Sequence, residues 1–520
     1  MAETKKKNGF ASGIGFILAA AGSAVGLGNI WGFPYKTAKY GGAAFVLVYI
    51  LCVLFIGSIA LVAEIYLGKR AQANTVTAYK KVKKGFGWVG LLVCVIPVFI
   101  ACYYSVLGGW TFRYAMNSFQ SVGSASNALT FGSFVSNPYE PVIYTVIFMA
   151  LAALIIMGGI KGGIEKASKV LMPILFIIIV AIAIYSLTLG PGVEKGLEFY
   201  LVPKFENLTF DGVIAAMGQA FYSLSLGMGI MVAYGSYTGK EIKIGRSIAM
   251  ISVFDTLIAL LAGLAIFPAV GALAPELFET PDALGGVGLV YKVLPMIFER
   301  MGDIGQFISF FFFAMIVIAA VTSVISLVET GVQFVIQKFK APRKIATLAV
   351  CGLCCLVSIP VAWSVGGAFD GSIMVFGYDI LTFMDDMTNV VLMPIGAFCS
   401  CFAIGWLIDD KITANPFKTL DNLKNDGLDL HPLFGGIFAV MVKYVTPLLI
   451  LFIEIVGVLT RVVPALGGTI NFWFTIGFAV LLAVLSIIVY FVAFVNQDTG
   501  TNEDELAINT KEKAEVVAEA

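Results

Sequence analysis

Residues 22–29 read Gly-Ser-Ala-Val-Gly-Leu-Gly-Asn, and residues 223–229 read Ser-Leu-Ser-Leu-Gly-Met-Gly. Each string stands near the middle of an apolar run long enough to cross a bilayer. Paired glycines beside hydroxyl and amide side chains suit an unbroken helix poorly, because glycine is about 1 kcal/mol worse than alanine in a helix interior. Close packing of helices through small residues explains either string alone. Together, however, they occupy the first and sixth apolar runs, matching places in two five-run halves. Broken helices in corresponding places point to a transport site at the membrane midplane. Unwinding a helix there frees carbonyl oxygens, which suit a hard cation such as sodium. It also exposes half-helix N-termini, whose amides and positive dipole end suit a carboxylate. A zwitterionic amino acid matches that pair of poles.

The chain around these strings has the composition of a polytopic membrane protein. It has 520 residues, 59% of them hydrophobic and 13% charged, with a mean hydropathy of +0.94. Soluble domains are roughly 45–50% apolar and about 25% charged, so a water-soluble enzyme is excluded. Twelve apolar runs are expected to span: 11–37, 42–68, 88–117, 142–159, 167–189, 211–237, 244–272, 303–337, 344–363, 375–407, 433–459 and 468–495. Lipid offers the backbone no hydrogen bonds, so runs of this length must be helical. They lack the alternation of barrel strands. On this count 24 of the 33 Lys and Arg fall on the side that holds both tails, which places both termini in the cytoplasm. Three lysines before a short apolar run imitate a signal peptide, but VGLGNIWGFPY continues at membrane depth and marks a retained first helix.

The expected organisation is a cytoplasmic segment 1–10, a first repeat 11–190, a second, inverted repeat 211–407, peripheral helices 433–495 and a solvated, disordered cytoplasmic tail 496–520. The 33 basic residues balance 33 acidic ones, which removes nucleic acid as a partner. All eight cysteines sit in apolar stretches, Cys351-x-x-Cys354 has no second pair to complete a metal site, and His431 is the single histidine. No nucleophile–base pair is visible, so no enzymatic activity is expected.

Four segments carry a family resemblance: GSAVGLGNIWGFPY (22–35), YYSVLGGW (103–110), GQAFYSLSLGMG (218–229) and AAVTSVISL (319–327). They resemble the neurotransmitter:sodium symporter family, its bacterial amino acid branch in particular, and the likeness runs the length of the chain. The resemblance implies an all-α integral membrane fold of twelve transmembrane helices in the plasma membrane. Ten of them would form a 5+5 inverted repeat with helices 1 and 6 broken at midplane, and two would be peripheral. It implies sodium-coupled symport of a neutral amino acid by alternating access. The alternatives are a carrier of another small zwitterion, such as a betaine or an imino acid, and a non-transporting amino acid sensor.

The same resemblance places a first sodium at Ala24, Asn29, Ser223 and Asp255, and a second at Gly22, Val25, Ala319, Thr322 and Ser323. For Thr322 and Ser323 the bland alternative is back-bonding within their own helix. The implied carboxylate donors are the amides near Leu27 and Gly28 and the Tyr104 hydroxyl. Ala24, Tyr222, Ser223 and Ser225 would hold the ammonium. Ser23, Ile100, Tyr222, Met228, Ser323 and Leu327 would line the side-chain pocket. Gly26 stands where monoamine-carrying relatives have an aspartate, and so leaves room for a substrate carboxylate. Met228 replaces a narrowing aromatic residue, and its flexibility favours large hydrophobic or aromatic amino acids.

Asp255 is an intramembrane carboxylate, functional by default. Chloride-dependent relatives carry Asn there and a serine one turn later, where this chain has Ala259. With Tyr49, Gln219 and Ser223 around it, Asp255 supplies the negative charge itself, so no chloride is expected. On the return step without sodium, protonation of Asp255 would make the cycle a proton antiport as well. Glu64, taken as the other buried acid, is implied to support the break in helix 6. The Gly163-x9-Pro173 motif is implied to let helix 5 unwind toward the cytoplasm. At the inner gate Lys7 and Phe10 are kept, but the acidic partner position reads Gln337. The outer-gate arginine and aspartate positions read Gly32 and Thr388, leaving Asp385 and Asp386 unassigned. Lys443 is left as a snorkelling side chain.

Overall fold

The computed structural model describes residues 9–119, 127–239, 241–278, 288–366, 373–375, 378–407 and 437–457. Lys7, His431, the expected twelfth span and the C-terminal tail lie outside the described residues. Those described belong to one compact unit that ends at Gly457. Among them, nine helices are long and apolar enough to cross a membrane, or ten when one bent pair is taken as a single span.

The first span is that bent pair, α1a (Gly13–Ala24) and α1b (Gly28–Lys39), turned by 50°. Ser12 caps α1a by accepting from the Gly15 amide, and Val25 ends it with extended backbone. A π-helical turn, Gly28–Gly32, opens α1b. The spans that follow are α2 (Ala43–Ala71), α3 (Gly87–Asn117), α4 (Glu140–Met157) and α5 (Ile160–Leu187). The sixth expected run divides into α6a (Phe210–Ser223) and α6b (Ile230–Ser236). It is followed by α7 (Ile244–Leu273), α8 (Asp303–Phe339), α9 (Arg343–Val365), α10 (Ile380–Leu407) and α11 (Ile437–Gly457). Short helices Thr75–Val82 and Val193–Leu201 connect spans. A two-residue antiparallel pair, β1 (Met374–Val375) with β2 (Tyr378–Asp379), precedes α10. For the eleven expected runs that the described residues cover, the boundaries hold to within seven residues, the largest difference being the earlier start of α5 at Ile160. The expected first and sixth runs are each interrupted at the glycine-rich string.

Burial separates inner helices from outer ones. The most apolar window is 78% buried in α8 and 72% in α3 and α10, against 33% in α5 and 39% in α4 and α11. The outer helices turn Leu154, Ile177 and Leu356 outward, all more than 60% exposed, as lipid contact requires. Between α3 and α8 runs the most extensive helix contact, and α1a packs on α5, α7 and α8. Both broken spans thus sit inside a frame of continuous helices. At 37 residues, α8 would be about 55 Å long at 1.5 Å per residue, well beyond the ~30 Å hydrocarbon core.

The start of α5 is a π-helical stretch, Ile160–Glu165, that contains Gly163, with Pro173 further along the span. Glu165 is buried there. Its Oε2 accepts from the Ala11 amide at 2.6 Å, and its Oε1 from the Ser12 hydroxyl at 3.0 Å and Lys169 Nζ at 2.6 Å. Glu64 and Asp255 are accordingly not the only buried acids. Glu165, Glu329 and Glu454 are also buried, each 3% exposed or less.

Candidate functional site

The break in α6 is built from backbone that ordinary residues avoid. Ser225, Gly227 and Gly229 have φ of +54°, +75° and +65°, a region glycine enters without cost and other residues do not. A Cβ on Gly227 would run into the Met393 carbonyl of α10, so no other side chain fits. One amide that this turn leaves without a helical partner is Gly227 N–H. It donates to Glu64 Oε1 of α2 at 2.7 Å, where Ser400 of α10 also reaches at 3.4 Å. Glu64 is fully buried, and its carboxylate is the acceptor that the Gly227 amide finds at the break.

Beside this break lies a polar cluster from four helices. The Asn29 amide donates to Asp255 Oδ1 at 2.7 Å, to the Asp255 carbonyl at 3.1 Å and to Ser223 Oγ at 2.9 Å. Ser223 donates to Asp255 Oδ2 at 2.8 Å, and Tyr49 reaches Ser223 at 3.1 Å and Asp255 Oδ2 at 3.5 Å. Asn29, Ser223, Asp255 and Tyr49 are all fully buried. Asn29 Oδ1 takes the Gly26 amide at 3.1 Å and keeps a second lone pair. Of the expected chloride-region residues, Gln219 stands apart: it donates to the Gly28 carbonyl at 2.7 Å and accepts from Lys36 Nζ at 2.7 Å.

A second oxygen-rich cluster joins α1 to α8. Ser323 Oγ reaches the carbonyls of Gly22 at 3.4 Å, Ser23 at 3.2 Å and Val25 at 3.2 Å. Thr322 bonds back to Ile318 and Ala319 of its own helix at 3.1 and 3.0 Å. Here the two hydroxyls divide. Ser323 crosses to the broken helix, while Thr322 shows the local back-bond. Carbonyl and hydroxyl oxygens of this kind suit sodium and not a soft metal. No group of three or more His, Cys, Asp or Glu stands close enough to hold a metal ion among the described residues.

Between the clusters is a small buried cavity of about 20 Å³, lined by Ser23, Ala24, Gly26, Gly28, Ile100, Tyr104, Tyr222, Ser225, Met228, Ser323 and Leu327. The twelve expected substrate residues thus gather at one place, except that Ser223 faces Asp255 and Leu27 acts through its amide, which donates to the Tyr104 hydroxyl at 3.1 Å. A cavity of that size holds about one water, so a larger guest requires side chains such as Met228 to re-pack. A Cβ on Gly26 would lie 2.5 Å from Ser323 Oγ and 2.7 Å from the Tyr104 hydroxyl. Glycine is what keeps both hydroxyls facing this space.

Residues 7–130 and 125–499 match the family model described as "Sodium:neurotransmitter symporter family". The chain belongs to the sodium:neurotransmitter symporter family. It is 36% identical over 462 residues to YhdH, an uncharacterized sodium-dependent transporter of Bacillus subtilis, covering 87% of this chain and 98% of that one. A sodium- and chloride-dependent taurine transporter of Rattus norvegicus is 25% identical over 453 residues, 76% and 71% of the two chains. The crystal structure of MhsT in complex with L-phenylalanine superposes with a TM-score of 0.77 at 35% identity, covering 86% of this chain and 99% of that one. The protein is therefore a sodium-dependent, multi-pass membrane transporter that acts on a small-molecule substrate.

The remaining gate residues of this transporter are arranged differently from the simple expectation. Phe10 packs edge-on against Phe16 and Tyr234, with centroids 5.4 and 5.5 Å apart, and its amide donates to the Tyr237 carbonyl. Gln337 accepts from the amide and side chain of Asn74 at 2.8 and 2.9 Å. A charge pair stands elsewhere on this side: Glu329 of α8 takes Arg343 of α9 and, at 2.8 Å, the Tyr237 hydroxyl. Toward the other end, Thr388 bonds the Tyr103 hydroxyl at 3.0 Å, and Asp385 faces Tyr103 and Lys36. Lys443 lies over the Trp406 ring, 4.6 Å from its centroid, which gives the side chain an aromatic partner. Glu329, Glu165 and Ser326 were not singled out from sequence. The intramembrane-carboxylate rule, applied to every span, finds Glu329.

Proposed function

We propose that the protein is a sodium symporter that carries a neutral, hydrophobic or aromatic L-amino acid into the cell by alternating access. The observation that carries this reading is the convergence of both broken helices on one buried cavity. Carbonyl and hydroxyl oxygens flank that cavity on two sides, and an amide–tyrosine pair stands on its wall. The first sodium is assigned to Ala24, Asn29, Ser223 and Asp255, the second to Gly22, Val25, Ala319, Thr322 and Ser323. In this scheme the substrate carboxylate completes the first sodium's shell, so each raises the affinity of the other reciprocally. Asp255 supplies the charge that a halide supplies elsewhere, and transport is chloride-independent. The similar structure, solved with L-phenylalanine, supports the substrate class.

The architecture assigned with this function is a twelve-helix plasma-membrane protein with cytoplasmic termini, in which α1–α5 and α6–α10 form the inverted repeat. Gly163 and Pro173 let α5 unwind, and Lys7 and Phe10 belong to the inner gate. A membrane potential of 100 mV contributes ~2.3 kcal/mol per sodium and a tenfold gradient about 1.4 more. Two ions then supply roughly 7 kcal/mol, enough for about a 10⁵-fold substrate gradient at full coupling.

The test is uptake of labelled leucine and tryptophan into proteoliposomes, with an inward sodium gradient and with potassium in its place. Accumulation above equilibrium with sodium alone is expected. Sodium-dependent binding without accumulation would identify a sensor. Indifference to sodium would overturn the ion assignments.

A further inference from the structure

Three serine hydroxyls meet at the cavity: Ser23 of α1a, Ser225 of the α6 break and Ser326 of α8. Ser23 and Ser225 line it and are each 4% exposed, while Ser326 stands behind them with no exposure. The hydroxyls of Ser23 and Ser326 are 2.7 Å apart, and Ser326 Oγ is also 2.7 Å from the Ser323 carbonyl. Ser225 donates to the Ser23 carbonyl at 3.0 Å, and the Ser23 and Ser225 hydroxyls approach to 3.4 Å.

Each hydroxyl has one hydrogen and two lone pairs, so the hydrogens can be followed. The Ser323 carbonyl only accepts, which commits the Ser326 hydrogen to it. The 2.7 Å contact between Ser326 and Ser23 must then use the Ser23 hydrogen, and the 3.4 Å approach to Ser225 is at most a weaker branch of the same donor. The Ser225 hydrogen is committed to the Ser23 carbonyl. All three hydrogens are thus spent within the protein. With the hydrogens so assigned, no donor among the described residues is left for Ser23 Oγ. This part of the wall offers lone pairs and no hydrogens, so its complement in a guest is a donor.

We propose that Ser23 is a specificity-determining residue whose Oγ accepts a hydrogen bond from an N–H or O–H on the substrate's side chain, with Ser326 as the positioning residue that fixes the Ser23 hydroxyl. The ligand class is an aromatic amino acid bearing such a donor, an indole or a phenol, in preference to a ring of the same shape without one. This inference rests on the proposed amino acid transport and narrows its substrate. A site built to bond a donor disfavours the analogue lacking it, because the buried acceptor is then left unpaired. One net hydrogen bond corresponds to a preference of about 3- to 10-fold.

The experiment uses the purified full chain with sodium and labelled L-leucine as the probe. L-Tryptophan is compared as competitor with 3-benzothienyl-L-alanine, in which sulfur replaces the indole N–H, and L-tyrosine with L-phenylalanine. Wild type should favour the donor-bearing member of each pair about 3- to 10-fold. Ser23→Ala should bring both ratios below about two, Ser23→Thr should preserve them, and Ser326→Ala should give intermediate values. Ratios near one in wild type overturn the inference without any variant, so a poorly folded mutant does not obscure the answer. Ratios undiminished in Ser23→Ala, or failure of tryptophan to displace leucine, overturn it too, while leaving the proposed transport of amino acids intact. Absence of sodium-dependent binding of both leucine and tryptophan overturns the proposed function and this inference with it.

Discussion

Replacing Gly26 by alanine should cost the transporter its substrate while leaving its fold standing. The added carbon would sit 2.5 Å from Ser323 Oγ and 2.7 Å from the Tyr104 hydroxyl, well inside the ~3.5 Å optimum for non-bonded atoms. Both groups must retreat. Tyr104 then loses the Leu27 amide, now at 3.1 Å, and Ser323 loses its approach to the carbonyls of α1. Counting one hydrogen bond for each, at about 1 kcal/mol apiece, gives about 2 kcal/mol. That is close to a 30-fold weakening of sodium-dependent binding. The assay is equilibrium binding of labelled leucine to purified protein across a sodium titration, with Gly13→Ala as the comparison. Gly13 belongs to the same broken helix, and a carbon there would meet nothing within 4 Å. A Gly26→Ala protein that binds within twofold of wild type would refute the reasoning, as would a Gly13→Ala protein that loses as much.

Three further outcomes follow from the same geometry. Replacing chloride by gluconate should leave wild-type uptake unchanged, whereas Asp255→Asn should make uptake chloride-stimulated. The lost charge is worth on the order of 3 kcal/mol at ~5 Å and an effective dielectric of 20, so equal uptake by Asp255→Asn in gluconate would count against the charge argument. Glu64→Ala strips the Gly227 amide of its acceptor, for a loss of about 1–3 kcal/mol, while Glu64→Gln keeps a carbonyl oxygen there. Alanine should therefore weaken substrate binding far more than glutamine, and identical affinities would show that the amide is held by other means. Arg343→Ala leaves the fully buried Glu329 with Tyr237 as its remaining bonded partner. Removing one member of a buried pair costs about 3–5 kcal/mol, and Arg343 is partly exposed, so the lower end is expected as a fall in thermal midpoint. The double variant Glu329→Gln, Arg343→Ala should recover part of it.

The features most legible in the sequence were those governed by the bilayer and by glycine. Apolar run length alone located α2, α3, α7 and α8, because a lipid-spanning backbone has no option but helix. The strings around Gly26 and Gly227 announced the breaks by standing in matching places of the two halves, since either alone could be a close-packing surface. Asp255 was foreseeable because a carboxylate at membrane depth is costly and needs partners, whereas Asn29 and Ser223 were placed beside it by the family resemblance. What stayed hidden were pairings between segments remote in the chain or separated by a turn. Ser23 meets Ser326 across 303 positions, and a serine in a helix gives no sign of which neighbour it will find. Arg343 finds Glu329 across the turn between α8 and α9, where a basic residue reads only as a cytoplasmic loop charge. Lys36 belongs to the same class: it looks like an external lysine, yet it anchors on Gln219, one turn beyond the glycine that stands in the expected arginine position. At Gly28–Gly32 and Ile160–Glu165 the glycines marked a weak point in the helix, but not that it would take the π-helical form.

Glu165 ties together two ends that would otherwise be independent. Its carboxylate holds the amide of Ala11 and the capping hydroxyl of Ser12 while belonging to the loosely wound first turn of α5. A displacement of α1a away from α5 breaks both bonds together and removes the anchor of its own N-cap. Uncoiling α5 carries the acceptor off and has the same effect from the other side. The two segments thus share a fastener, and work done on either is felt by both. A single side chain, remote from the cavity, thereby couples any displacement of α1a to any uncoiling of α5.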